Sequence, residues 1–260
     1  MYDYFLGGKD NFPADREAAE KIVAAGVHPR EFARANRAFL GRAVRFLARQ
    51  GITQFLDIGT GIPAAGNTHE VAQQTSPEAR VVYVDNDPIV LTHARALIAG
   101  HRLGTTTVIQ ADLRDPAAIL AHPEVRAAID FDRPIGLILV AVLHFIREDE
   151  DPDSATKLLR DALPAGSYLV ISHGTDAGAH STVPTHGAQV AANVYRQRSS
   201  STLTLRSKDR IAEFFGDFEL VAPGLVSVPF WQPDEDSDED PADDVIHTTT
   251  ALYAGVARKH

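Results

Sequence analysis

The chain has 260 residues, 44% of them hydrophobic, a formal charge of −10 and no cysteine. Such a length buries roughly 70–75% of the unfolded surface, and the missing thiols exclude disulfides and thiolate metal sites. Eight acids and no base fall within residues 234–244, leaving 27 acids against 25 bases elsewhere. The body is therefore nearly neutral and lacks the basic surface that non-specific nucleic-acid binding requires. Met1-Tyr2-Asp3-Tyr4-Phe5 has neither the basic start nor the apolar stretch of a signal peptide. The longest apolar run, residues 135–143, is about half of a bilayer span. These features read as a soluble, cytoplasmic protein with no membrane partner.

In chain order, residues 1–14 mix glycine, aromatic and polar groups without a period. Helices are predicted over 15–25 and 31–49; in the second, Phe32, Ala35, Phe39, Ala43 and Phe46 recur at helical spacing, and Gly51 can end it. A strand over 54–58 follows, then a helix near 68–74 and a strand over 81–84. A helix over 88–98, a strand over 106–110 and a short helix over 116–120 come next. The run 135–141 is continuously apolar, as in a strand buried on both faces. A helix over 152–162 and a strand over 167–172 complete five alternations, which predict a parallel sheet with helices on both faces. Residues 174–201 form a polar insert with a helical pattern over 188–197. The end breaks the rhythm: 218–228 and 248–257 are β-rich, and the acidic loop of about 233–245 joins them as a long hairpin connection.

The chemistry concentrates after the first strand. Asp57 ends the apolar run, and Gly59-Thr60-Gly61 follows. Glycine there lets the backbone turn and approach a ligand without a Cβ clash. The string Gly59-Thr60-Gly61-Ile62-Pro63-Ala64 also satisfies a relaxed dinucleotide pattern. Three features point away from a dinucleotide. Asp57 would repel a pyrophosphate but suit an ammonium group, Pro63 delays the helix start that would bind phosphate, and a terminal antiparallel hairpin is foreign to a plain dinucleotide-binding sheet.

The chain resembles the class I S-adenosylmethionine-dependent methyltransferases. Asp57, Gly59 and Gly61 match their first motif, with Pro63 at the usual third glycine; Asp85 matches the acid that ends the second strand. A closer resemblance covers nearly the whole chain. Tyr2-Asp3-Tyr4-Phe5-Leu6-Gly7-Gly8-Lys9-Asp10-Asn11-Phe12, Asn36-Arg37-Ala38-Phe39-Leu40, Gly66-Asn67-Thr68-His69-Glu70 and Tyr83-Val84-Asp85-Asn86-Asp87-Pro88 are similar to one bacterial methyltransferase family formerly classed as a domain of unknown function. Relatives usually carry several residues before the Tyr-Asp-Tyr segment, which Met1 here abuts.

The resemblance implies an α/β fold: a class I methyltransferase-like, seven-stranded, mostly parallel sheet with a C-terminal antiparallel hairpin and an N-terminal helical extension. Residues 1–50 would form a lid and helices of the same domain, and 51–260 the cofactor-binding part. It implies S-adenosylmethionine as cofactor, with Asp85 on the ribose, Asp112 and Leu113 beside adenine, Ala141 at the methionine end, and Thr60 and Asn86 adjoining. Arg37 is a candidate for the cofactor carboxylate, and Tyr4 and Asn11 for contacts from the lid. Arg34, Arg42 and Arg45 read as exposed helix charges, and Thr68 as a helix cap. His144, after the fourth strand, is the candidate base or acceptor-positioning group, with His173 second. The eleven histidines lack ligand spacing, so no metal is expected. The expected function is methyl transfer to a small-molecule O or N nucleophile. The alternative is a non-catalytic S-adenosylmethionine-binding regulator.

Overall fold

The computed structural model describes residues 1–9, 11–63, 66–98, 104–175, 190–191, 193–196, 202–232 and 252–260. The acidic connection and most of the polar insert lie outside these residues. Strands β1 (Gln54–Ile58), β2 (Arg80–Asp85), β3 (Thr105–Gln110), β4 (Gly136–Val140) and β5 (Tyr168–Gly174) run parallel. The chain's last strand, β8 (Leu252–Arg258), inserts antiparallel beside β5, giving the order β3-β2-β1-β4-β5-β8-β6. The seventh position is split. β6 (Glu219–Leu220) and β7 (Val226–Ser227) both pair with β8, and between them Pro223 has no N–H to give to the ladder.

Every residue of β1 and β5 is buried. Alternate side chains point to opposite faces, so each face acquires its own core. One face joins Leu56, Val82, Leu137 and Leu169 to Ile119, Val125, Leu159 and Ile211. These last four come from α6 (Pro116–Ala121), α7 (Pro123–Ala128), α8 (Pro152–Asp161) and α9 (Lys208–Glu213). The other face joins Phe55, Val81, Ile138 and Val170 to α3 (Pro29–Arg49), α4 (Thr68–Thr75) and α5 (Pro88–Ile98). Phe39, Ala43 and Leu47 of α3 are fully buried there, and Trp231 packs edge-on between Phe39 and Phe46 at 5.5 and 5.7 Å. Arg42 is not a free surface charge: its guanidinium donates to the carbonyls of Trp231 and Val228, both at 2.9 Å.

A third, smaller cluster sits apart from the sheet. Phe5 of α1 (Tyr2–Phe5) packs with Ala18, Ala19 and Ile22 of α2 (Pro13–Ala24), with Ala33 of α3, and with Ala191 and Val194 after β5. The amino-terminal segment thus has an apolar footing of its own, shared with the helical part of the insert.

Candidate functional site at the carboxyl ends of the strands

The loop after β1 is held by its neighbours rather than by helix. The Gly59 amide donates to the Val84 carbonyl at 2.8 Å, and Thr60 Oγ1 donates to the Asp57 carbonyl at 3.2 Å. Both glycines take positive φ, +81° and +66°. They differ in what surrounds them. A Cβ on Gly59 would lie 2.3 Å from Val142, whereas one on Gly61 would meet nothing within 4 Å among the described residues. Gly59 therefore serves close packing onto the loop after β4, and Gly61 borders space that no described residue fills.

Asp85 closes the loop from the next strand. One carboxylate oxygen accepts the Gly61 amide at 2.8 Å and the other the Asp87 amide at 3.0 Å. A carboxylate has about four lone-pair directions, so acceptor capacity remains. Burial pushes its pKa up despite these two amides. Asp57 is more deeply enclosed. Its Oδ2 accepts the Thr68 hydroxyl at 2.6 Å, so Thr68 binds the strand-end acid. Asn67 occupies the cap position, where Glu70 accepts the amides of Gly66 and Asn67 at 2.8 and 3.1 Å. Burial raises the Asp57 pKa to about 6, opposed by Thr68 and Arg37 and reinforced by Asp85. Arg37 of α3 lies in the field of Asp57 and donates to Asn67 Oδ1 at 2.7 Å.

At the β2–β3 edge, Asn86 Nδ2 donates to Asp112 at 3.0 Å. Burial pushes the Asp112 carboxyl up. The Arg114 amide, Asn86 and the Arg114 guanidinium outweigh it, and the net shift is down. Leu113 points into the core, 4% exposed. Past β4, Ala141 adopts φ +55°, a left-handed conformation uncommon outside glycine. Its amide reaches both the carbonyl and the hydroxyl of Ser172 on β5, at 3.1 and 3.0 Å.

His144 is buried in a 3-10 turn, Leu143–Phe145. Its Nδ1 accepts the Gly174 amide at 3.2 Å, so the neutral ring carries its proton on Nε2. Burial, then His173 and Arg206, push its pKa well down. His173 is held at both nitrogens: Nδ1 donates to the Gly174 carbonyl at 2.6 Å, and Nε2 accepts from Arg206 at 2.8 Å. Burial leads in lowering its pKa to about 4. Sequence reasoning missed Arg206. This arginine is 3% exposed, pairs with Glu148 at 2.5 Å, and donates to the carbonyls of Leu143 and Ile146 at 3.0 and 2.8 Å. It clamps the His144 turn from a position 62 residues downstream, and no local pattern announces it.

The two predicted lid residues find their partners within the amino-terminal segment and its helices. Tyr4 donates to Glu20 at 2.5 Å beneath the Arg30 guanidinium, on the exposed side of the amino-terminal layer. Asn11 donates to Asp3 and to the Gly8 carbonyl, both at 2.8 Å. Tyr2, not singled out in the sequence, faces inward instead, bonding Ala33 and Asn36.

The sequence profile of the S-adenosyl methyltransferase family matches residues 1–260. A Thermobifida fusca protein of known structure, assigned as a candidate methyltransferase, is 45% identical with a TM-score of 0.86, over 99% of this chain and 92% of that one. A DUF574 family protein from Streptomyces avermitilis is 42% identical with a TM-score of 0.89, over 100% and 95%. A Mesorhizobium loti S-adenosylmethionine-dependent methyltransferase shares the fold at 16% identity, TM-score 0.56, over 84% and 96%. The comparison with curated proteins gives no match.

Proposed function

The chain belongs to the S-adenosyl methyltransferase family, and on that premise we propose that it methylates an O or N nucleophile of a small molecule at the edge formed by β1, β2, β4 and β5. The methyl donor is S-adenosylmethionine, which when bound supplies an activated methyl group on a sulfonium. The chain's residues fit it. The space beside Gly61, which no described residue fills, leaves room for close backbone approach, and the Asp85 carboxylate keeps capacity to accept two ribose hydroxyls. Asp57 and Arg37 are the charged pair suited to an amino-acid tail, with Asn86 and Asp112 beside the adenine. The observation that carries the reading is the pairing of Gly61 with Asp85 across the β1–β2 edge.

Transfer needs alignment of acceptor and methyl more than covalent help. The two histidines suit that division. His144 has its Nδ1 occupied and a proton on Nε2, so it positions an acceptor as a donor rather than taking its proton. His173 has both nitrogens engaged within the fold. The partly exposed rings of Phe145 and Tyr195, 5.7 Å apart, border the acceptor side and support a small molecule of aromatic or apolar character.

Thermal unfolding tests this directly. A ligand at a hundredfold its Kd adds about 2.7 kcal/mol, which raises Tm by several degrees in a chain of this size. S-adenosylmethionine and S-adenosylhomocysteine are expected to do so and NAD is not. A shift with NAD alone would overturn the reading.

A further inference from the structure

One unbroken polar chain runs from the amino-terminal turn to the strand edge. Tyr2 donates its hydroxyl to the Ala33 carbonyl at 3.2 Å and accepts a bond from Asn36 Nδ2 at 3.1 Å. Asn36 Oδ1 accepts the Ser172 hydroxyl at 2.6 Å, and Ser172 Oγ accepts the Ala141 amide at 3.0 Å. Each donor finds an acceptor in series, and at the last link the Ala141 amide is shared between the hydroxyl and the carbonyl of Ser172. Asn36 and Ser172 are buried, at 3% and 0% exposure. Polar groups placed that deep need partners. Tyr2 keeps 39% of its surface open while its hydroxyl end is enclosed. It is therefore the link that can come away.

The two ends of this chain bear on the same site. Ala141 holds the left-handed turn that leads into Val142, and Val142 is the side chain pressed against Gly59. At the other end, the amino-terminal turn closes on itself through the Gly8 amide and the Asp3 carbonyl, 2.9 Å apart. It rests on the separate cluster around Phe5 rather than on the sheet cores. Among the described residues, the polar chain is a route from turn to strand edge beside that cluster and the helix α3 that both share.

We infer that Ser172 and Asn36 are positioning residues that latch the amino-terminal turn, through Tyr2, over the loop that receives the methyl donor. The inference rests on the methyl-donor site proposed above. Closing the latch covers the site. Releasing Tyr2 opens it without disturbing the sheet.

The test combines amide hydrogen exchange with calorimetry on the full chain. In Ser172→Ala, deuterium uptake over residues 1–12 should quicken about fivefold, the worth of one hydrogen bond, although the substitution lies 160 residues away. Affinity for S-adenosylhomocysteine should fall by a similar factor. Ser172→Thr keeps the hydroxyl on a strand that tolerates it and should preserve both. Tyr2→Phe removes only the outer link, leaves the sheet intact, and should reproduce both effects even if Ser172→Ala fails to fold. Unchanged exchange over residues 1–12 in Tyr2→Phe overturns the latch, as does a Ser172→Ala protein with lowered Tm and unaltered exchange there. If the unmodified chain binds no S-adenosylhomocysteine, the methyl-donor reading falls, and exchange alone still decides whether the latch exists.

Discussion

Asp57 shows how a single residue ties stability to the proposed recognition of the methyl donor. Its folded pKa of about 6 lies above the ordinary 3.8, with burial as the main cause. Between those values the folded state holds a proton that the unfolded state has lost. Stability from this group is therefore fully present below pH 3.8 and declines as pH rises through 6, by about 3 kcal/mol in all. Asp57→Asn should flatten that decline, and urea unfolding at pH 5 and pH 8 measures it. A cationic ammonium beside the carboxylate reverses the local preference. Affinity for S-adenosylhomocysteine should therefore rise from pH 5 to pH 8, and a flat profile in calorimetry would remove Asp57 from the site. The neighbouring pair Tyr2 and Tyr4 shows what one position can hide. In a single helical turn the two side chains diverge by roughly 200°, and with no repeat to fix the phase the sequence offers no ground for choosing the inward one.

Among elements, those defined by burial on two faces were readable, because continuous apolar runs leave few alternatives. Strands β1 to β5 fell within a residue or two of their predicted bounds, as did helices α3 and α8. Short elements escaped. The helix α7 is six residues between His122 and Ile129, and its apolar content is too small to show a period. The helix α9 carried a usable signal: the Ser207 hydroxyl caps it by accepting the Arg210 amide at 3.2 Å. The split of the seventh strand follows from Pro223. Loop geometry was legible only in part. Positive φ at Gly59 follows from the motif, but its contact with Val142 joins two loops that are 83 positions apart. Gly59→Ala should cost roughly 1–2 kcal/mol for the left-handed backbone and a further 1–3 kcal/mol for overpacking. A fall in Tm with intact far-ultraviolet circular dichroism is expected. An unchanged Tm would mean that Val142 moves aside freely.

At the scale of the molecule, the two sheet cores and the amino-terminal cluster are packed separately, and that separation decides what a truncation removes. Taking away residues 1–12 strips Phe5, with Met1, Tyr4 and Leu6, from the third cluster without touching either sheet core. The shortened chain should stay folded and lose affinity for S-adenosylhomocysteine; calorimetry giving full-length affinity would sink the role of this segment as a lid. The sheet order has a different consequence. β8 pairs with β5, β6 and β7, yet it follows every other strand in the chain. A polypeptide emerging from the ribosome folds its earlier parts first. Here the fully buried edge of β5 stays open, and β6 and β7 have no neighbour, until residues 252–258 have been made. Translation and sheet closure thus run in opposite orders, and an interrupted nascent chain would present an apolar, unpaired strand edge of the kind that recruits other chains.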